Sequence, residues 1–300
     1  MLLAMASRTP PLVLAALLVV YLVWGTTYLA NHVALETMTP LTIGAIRFLI
    51  AGGGLYVVLR LCGAPAPTAR EWRTSLVTGL LMGLCGNGFV VYGQQWVSSG
   101  LVALVVGTMP LWAATLGYAL QPRGADVSRS QAVSRREWLG LGLGFLGIAT
   151  LQLGGELSAA GLGALLLILS PLCWALGGVL GRRWPLPAGP MASATQMLTG
   201  GLGFLVAAAI VGDPFPHVPS ARSLAALAYL IVFGSLLGFT AYAYLLRRTR
   251  LAVANSYAYV NPVVAIVLGA AIVGEQVSAL TIFATVIILA AVAVINWRRR

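Results

Sequence analysis

Apolar residues fill this chain in long uninterrupted runs, without the two-residue alternation of a strand or the single apolar stripe of a helix lying on a water-soluble core. Ten runs follow one another: Pro11 to Ala30, Pro40 to Leu61, Thr74 to Gln94, Ser99 to Leu120, Trp138 to Gly154, Ala160 to Gly181, Pro190 to Val211, Ser223 to Leu246, Leu251 to Val273 and Ser278 to Trp297. A bilayer core about 30 Å thick is crossed by roughly 20 apolar residues rising about 1.5 Å each. The pattern therefore predicts an all-α polytopic membrane protein of ten transmembrane helices. The first run follows Arg8, is too long for the apolar region of a signal peptide and meets no small-residue cleavage site before His32, so it reads as a retained first helix.

Composition agrees with this pattern. Hydrophobic residues make up 59% of the 300 positions and charged residues 8%, with a mean hydropathy of +0.93, whereas a soluble domain carries about a quarter charged residues. The net charge of +11 changes the picture only through its placement. With ten helices, Arg8, Arg60, Arg70, Arg73, Arg123, Arg129, Arg135, Arg136, Arg182, Arg183, Arg247, Arg248, Arg250, Arg298, Arg299 and Arg300 all fall on one side, 16 of the 18 basic residues in a chain without lysine. Retained cationic loops fix orientation during insertion, which predicts that side, and both termini, in the cytoplasm, with the chain in a bacterial inner (plasma) membrane. An odd number of helices breaks the alternation. A basic patch for nucleic acid is absent, so no nucleic-acid partner is expected; the partners are the lipid bilayer and a small molecule, the protein itself being a monomer or weak oligomer. Cys62, Cys85 and Cys173 are scattered and only His32 and His217 occur, which predicts no disulfide framework, no metal site and no cofactor.

The sequence also repeats. A shift of 150 positions superposes Trp24 on Trp174, Phe89 on Phe239, Tyr92 on Tyr242 and Leu101 on Leu251, and a shift of 152 superposes Pro110 on Pro262. Residues 1–154 and 155–300 would then be two repeats of five helices each. Five is odd, so the second enters the membrane from the opposite side, the inverted arrangement of many secondary carriers. Pro110 and Pro262 each lie about 16 Å along their helices, near the midplane. Both are expected to mark kinks, because proline removes a backbone hydrogen bond and frees a carbonyl that lipid cannot satisfy.

A cavity at that level would collect the few polar groups of the interior. Asn255, Ala258 and Tyr259 share the face of Pro262; Ala103, Val106 and Gly107 share that of Pro110, with Met109 beside it. Asn87 and Gln94 are seven apart and are expected to project alike, near Gly83 and Gly86; the eighth helix offers Gly238 and Tyr242. Buried amides must find partners, so these side chains read either as cavity lining or as hydrogen bonds between helices. Trp24 and Trp174 lie away from the headgroup level and are candidate walls, while Trp72, Trp96, Trp138, Trp184 and Trp297 sit at helix ends as interfacial anchors. Arg47 is the clear intramembrane charge, a default functional candidate because insertion costs about 2.5 to 3.5 kcal/mol, though its depth also lets it snorkel or meet a carbonyl. Glu36, Glu156, Asp213 and Glu275 map to outer loops or helix ends, so no carboxylate serves as a midplane proton relay. Amides and aromatics without fixed carboxylates suit a neutral or zwitterionic organic solute better than a metal cation.

The stretches "VWGTTYLANH" from Val23, "IRFLIAG" from Ile46, "GTMPLWAATLGY" from Gly107, "CWALGGVLGRR" from Cys173 and "AYVNPVVAIVLGAAIVGEQVS" from Ala258 resemble the drug/metabolite transporter superfamily, in particular its EamA-type exporters, and are similar to the YddG-like amino-acid exporters. The resemblance implies ten helices in two inverted repeats around a central cavity, with metabolites or amino acids moved by alternating access. It also implies that Trp174 and the segments before Pro110 and Pro262 line the cavity. Met109 stands where some relatives carry an aromatic residue, which argues against a strictly aromatic substrate.

The leading expectation is a secondary carrier exporting amino acids or related small metabolites, with a multidrug or nucleobase-type effluxer as the alternative. A membrane-embedded enzyme is disfavoured, since the chain has no HExxH, GxSxG, lysine or buried acid pair. Coupling stays open between a facilitator driven by the solute gradient and a proton route through another group.

Overall fold

The computed structural model describes residues 10–120, 161–212, 218–249, 251–274 and 276–296, with scattered positions between 139 and 150. Nine of the ten apolar runs appear as helices, and no strand occurs among the described residues. They are α1 (Pro11–Leu35), α2 (Pro40–Leu61), α3 (Ala69–Gly93), α4 (Ser99–Ala119), α5 (Leu162–Arg183), α6 (Met191–Val211), α7 (Ala221–Arg248), α8 (residues 251–273) and α9 (Ala279–Asn296). α1 to α7 are long and apolar enough to cross a membrane, and Val260–Ile272 within α8 is a shorter apolar helix. The run from Trp138 to Gly154 lies outside the described residues except for scattered helical positions, as do Glu156, Asp213 and Glu275.

Local chemistry sets the helix ends. Pro11 and Pro40 occupy first turns, where the missing N–H has no intrahelical partner to lose. α3 opens on a reciprocal cap, Glu71 N donating to Thr68 Oγ1 (3.3 Å) and Thr68 N to Glu71 Oε2 (2.7 Å). Ser220 caps α7 by accepting from Ser223 N at 3.1 Å. α6 ends at Gly212, whose φ of 66° is free of strain only without a Cβ.

The halves correspond in their irregularities as well as in their helices. α3 widens into a π-helical stretch at Leu80–Gly88, and α7 does the same at Leu230–Leu237, 150 positions on. A π turn holds an extra residue, which re-aims the following side chains and loosens the backbone ladder, and such turns collect at functional sites. α8 carries a further π stretch at Gly269–Val273.

Helices meet through small residues, as hydrocarbon supplies no hydrophobic drive between them and close packing must take its place. α2 crosses α6 where a Cβ on Gly52 would lie 2.6 Å from Leu198 N and one on Gly201 2.9 Å from Leu49 N. Gly79 and Gly83 receive Gly200, whose own Cβ would lie 2.9 Å from Gly79 O. Hydroxyls add short bridges between α3 and α6: Ser75 Oγ to Thr195 Oγ1 (2.8 Å), Gln196 Nε2 to Thr78 Oγ1 (2.9 Å) and Thr199 Oγ1 to Ser75 O (2.8 Å). Leu61, Val206, Ile210, Val267 and Phe283 are exposed on the outside. Polar groups thus face inward and aliphatic ones outward, the reverse of a soluble bundle and the arrangement that lipid requires.

The crossing of α2 and α6 yields a prediction with an internal control. Gly52→Ala pushes a methyl group into the Leu198 backbone and should lower the thermal midpoint in detergent by the equivalent of about 1 to 3 kcal/mol. Gly54→Ala, on the same helix with nothing within 4 Å of the added carbon, should leave the midpoint unchanged or raise it.

Candidate functional site

The interior is built around five aromatic rings. Trp24 on α1 has its ring centroid 5.4 Å from that of Trp174 on α5, 5.8 Å from Phe239 and 5.2 Å from Tyr242 on α7, and 4.7 Å from Tyr257 on α8, mostly in edge-to-face contacts. Such pairs gain about 0.5 to 1.5 kcal/mol each beyond the burial of their area. Trp24 is fixed by two features of the α7 π stretch and its end: its Nε1 donates to Gly234 O at 3.0 Å, and its indole fills the space left by the missing side chain of Gly238. Trp174 lies in turn against Gly86, where a Cβ would come within 2.9 Å of Trp174 Cε3. Gly86 thus makes room for an indole of the protein itself.

Broken helices frame this layer. α4 stops at Val106 and restarts at Met109, with Pro110 in the first turn of the new segment and Thr108 Oγ1 donating to Val105 O at 2.7 Å. α8 breaks at Asn255 and Ser256, six residues before Pro262, which lies inside the segment Tyr257–Leu268. The break thus precedes the proline by more than one helical turn. At the break Ser256 Oγ donates to Val253 O (2.6 Å), competing with the helical ladder, and bonds Tyr21 OH (2.7 Å), while Asn255 Oδ1 accepts from Tyr242 OH (2.7 Å) and ties the broken segment to α7. Pro262 still frees the carbonyl of Ala258, and Gly107 packs against it, an added Cβ there falling 3.1 Å from Ala258 O. The two proline-bearing helices touch at that point.

A cavity of about 50 Å³ adjoins the aromatic layer. α1 contributes Trp24, Thr27, Tyr28 and Asn31; α2 gives Arg47; α3 gives Gly86, Asn87 and Val90; α5 gives Ser170, Pro171 and Trp174; Val106, Phe239, Tyr257 and Asn261 complete it. A second cavity, about 450 Å³, is lined by Gly177, Gly178 and Gly181 of α5 with Met82, Gln196, Arg182 and Arg247. The first takes residues C-terminal to Trp24 on α1 but N-terminal to Trp174 on α5. The second takes residues C-terminal to Trp174. The aromatic layer thus stands between a small polar cavity and a larger one at the arginine-bearing ends of α5 and α7.

Arg47 is the charged group of the polar cavity. Only 1% of it is exposed, so it does not snorkel; it turns inward because Gly234 leaves space, a Cβ there falling 2.9 Å from its Nη2. Its Nε donates to Ser235 Oγ at 2.7 Å and its Nη1 approaches Asn87 Oδ1 at 3.5 Å. Among the described residues no carboxylate lines the cavity, and the ion pair found among them, Arg222 with Glu36 at 3.4 Å, lies elsewhere at half-exposed helix ends.

The sequence-predicted residues divide. Trp24, Arg47, Asn87 and Trp174 line the polar cavity, and Tyr242 belongs to the aromatic layer with Asn255 as its partner. Gln94 does not project with Asn87. It is 3% exposed and ties α3 to α1, its Nε2 donating to Tyr28 O (2.9 Å) and its Oε1 accepting from Asn31 Nδ2 (3.2 Å). Met109 and Ala258 are buried packing residues outside the cavity wall, and the side chain of Tyr259 lies outside the described residues. Sequence reasoning passed over Thr27, Tyr28, Asn31, Ser170, Tyr257 and Asn261. Part of that set was legible, because Trp24, Thr27, Tyr28 and Asn31 follow the i, i+3, i+4, i+7 spacing of one helix face.

Comparison with known proteins adds identity to this geometry. The model of the EamA-like transporter family matches residues 11–152 and again 161–297. The chain is 38% identical over 284 residues to the Escherichia coli K12 protein described as an uncharacterized inner membrane transporter, YedA, covering 94% of this chain and 89% of that one. It is 28% identical to Protein PecM of Dickeya dadantii, covering 91% and 89%. A solved crystal structure shares the fold with a TM-score of 0.66 at 16% identity, over 94% of this chain and 95% of that one.

The divided roles of the two amides predict different phenotypes. Gln94→Leu strands the donors and acceptors of α1 and should lower the thermal midpoint by the equivalent of about 1 kcal/mol. Asn87→Leu should keep the midpoint and weaken solute binding, as measured on the same purified protein.

Proposed function

The chain belongs to the EamA-like transporter family, and on that premise we propose that it exports amino acids or related small zwitterionic metabolites by alternating access through the cavity beside Trp24 and Trp174. It is an integral membrane protein of a transporter family. In the proposed arrangement residues 1–154 and 155–300 are two inverted five-helix repeats, the arginine-bearing ends face the cytoplasm with both termini, and the membrane is the bacterial inner membrane.

The observation that carries the reading is the contact between Trp24 and Trp174, 150 positions apart, with a cavity on each side of it. Two equivalent groups meeting on the approximate symmetry axis form a barrier that one tilt of the repeats opens to one face and the opposite tilt opens to the other. The π stretches of α3 and α7 and the breaks in α4 and α8 supply four loosened backbone positions beside the barrier, where hinge motion costs fewer helical hydrogen bonds. An amino acid suits the lining: amides and hydroxyls for its charged ends, aromatic walls for its body. The same aromatic walls also accept a planar base or drug, which is the second reading.

Purified protein in proteoliposomes loaded with labelled amino acids tests both. The proposal expects saturable efflux, with competition by unlabelled amino acids and not by nucleobases, and a loss of about tenfold or more in Trp174→Ala, equivalent to about 1.4 kcal/mol of lost packing. Efflux of a nucleobase or aromatic cation with no amino-acid competition would favour the second reading. Flux of neither class from folded protein would overturn the proposal. With no carboxylate in the described lining, an internal pH indicator should stay level during flux.

A further inference from the structure

We infer that Arg47, Asn87 and Asn31 form a carboxylate-directed binding site in the small polar cavity, the guanidinium of Arg47 holding the carboxylate of a zwitterion and Asn31 Oδ1 accepting from its ammonium group. The carboxylate half stands by itself; the ammonium half rests on the amino-acid reading above.

Hydrogen-bond accounting leads to this site. Arg47 carries five N–H donors, is 1% exposed, and donates at good length only to Ser235 Oγ, with the longer approach to Asn87 Oδ1. Both partners are neutral. A cation held away from water without a counter-ion is costly, and the usual remedy is an anion within reach. Asn31 shows the complementary deficit. It is 2% exposed, its Nδ2 is used by Gln94, and its Oδ1 has no hydrogen-bond partner; the indole Nε1 of Trp174, on the same cavity wall, likewise meets no acceptor in good geometry. A cavity with spare cationic donors and a spare neutral acceptor matches a group carrying a negative end and a donor end.

The repeat provides an internal control on whether the fold itself needs these groups. At a shift of 150, Thr27, Tyr28 and Asn31 correspond to Gly177, Gly178 and Gly181, Asn87 to Leu237, and Arg47 to Met197. Met197 is as buried as Arg47, at 1% exposed. The second half therefore builds the same helix pair with an uncharged side chain of similar length at that place, and its three glycines line the roomier cavity of about 450 Å³. Packing does not require a guanidinium there. At these repeat-related positions the charge and the two amides occur only in the first half, where they line the small cavity, as expected of groups kept for a ligand.

The test uses the full-length protein in lipid nanodiscs, with equilibrium binding measured for the twenty amino acids, for isovalerate and acetate as carboxylates without an amine, and for valinamide and isobutylamine as amines without a carboxylate. The inference expects carboxylate-bearing probes to bind and their amides to bind at least about tenfold more weakly, the loss of a charge-assisted pair. Arg47→Gln should remove that preference and Arg47→Lys should restore part of it. Arg47→Met, which copies the second half, should fold with a thermal midpoint equal to or above that of the unaltered protein. Equal binding of carboxylate and amide, unchanged binding in Arg47→Gln, absence of binding by every carboxylate probe to folded protein, or a collapsed midpoint in Arg47→Met would overturn the site. Binding of the simple acids without amino-acid flux would sink the amino-acid reading and leave the carboxylate site standing.

Discussion

Hydrocarbon offers no hydrogen bonds, and the architecture of this chain follows from that constraint. Every backbone group must be satisfied within a helix, and every polar side chain must face another helix or a cavity. The hydroxyl bridges between α3 and α6, the Gln94 tie to α1 and the pair of Tyr242 with Asn255 are all solutions to this requirement. The places where it is met least completely are therefore informative. They are the breaks in α4 and α8, the π stretches of α3 and α7, and the cavity around Arg47, and they gather around one aromatic layer.

The aromatic layer divides two cavities of unequal character. Both are made by related parts of the two halves, yet one is filled with Thr27, Tyr28 and Asn31 and the other is emptied by Gly177, Gly178 and Gly181. A duplicated scaffold whose two cavities differ in this way has an intrinsic direction: a solute entering from the glycine-lined side passes Arg182, Arg247 and Gln196 with room to spare and meets the tighter Arg47 group after the indoles. In the proposed orientation that side is the cytoplasm, which accords with export.

The periodicity of the chain exposed its helices well, because runs of apolar residues interrupted by arginine leave few alternatives; the shift of 150 marked Trp24 and Trp174 as equivalent positions, while their direct contact depends on packing. Other features were hidden for physical reasons. A π turn is made by ordinary residues whose backbone adds one position, so nothing in "LLMGLCGNG" of α3 marks it. The break in α8 at Asn255 and Ser256 carries no breaker residue, since a serine hydroxyl that takes the Val253 carbonyl has no signature that periodicity can read. Gln94 and Asn87 looked alike at seven residues apart, but their partners lie on different helices, and only packing tells an amide that glues from one that lines. Arg47 was recognisable as exceptional, while its inward turn depended on Gly234, a glycine distant in sequence.

Alternate opening of the aromatic layer is the central claim, and accessibility from each face tests it most directly. In protein whose three cysteines have been replaced, Val90→Cys and Gly181→Cys each place one thiol in one of the two cavities. A membrane-impermeant thiol reagent should reach position 90 only from the face opposite the arginine-bearing ends and position 181 only from the arginine-bearing face. A transported solute should raise labelling at one position as it lowers labelling at the other. Simultaneous labelling of both positions from a single face would mean an open pore or a different path, and would contradict the account.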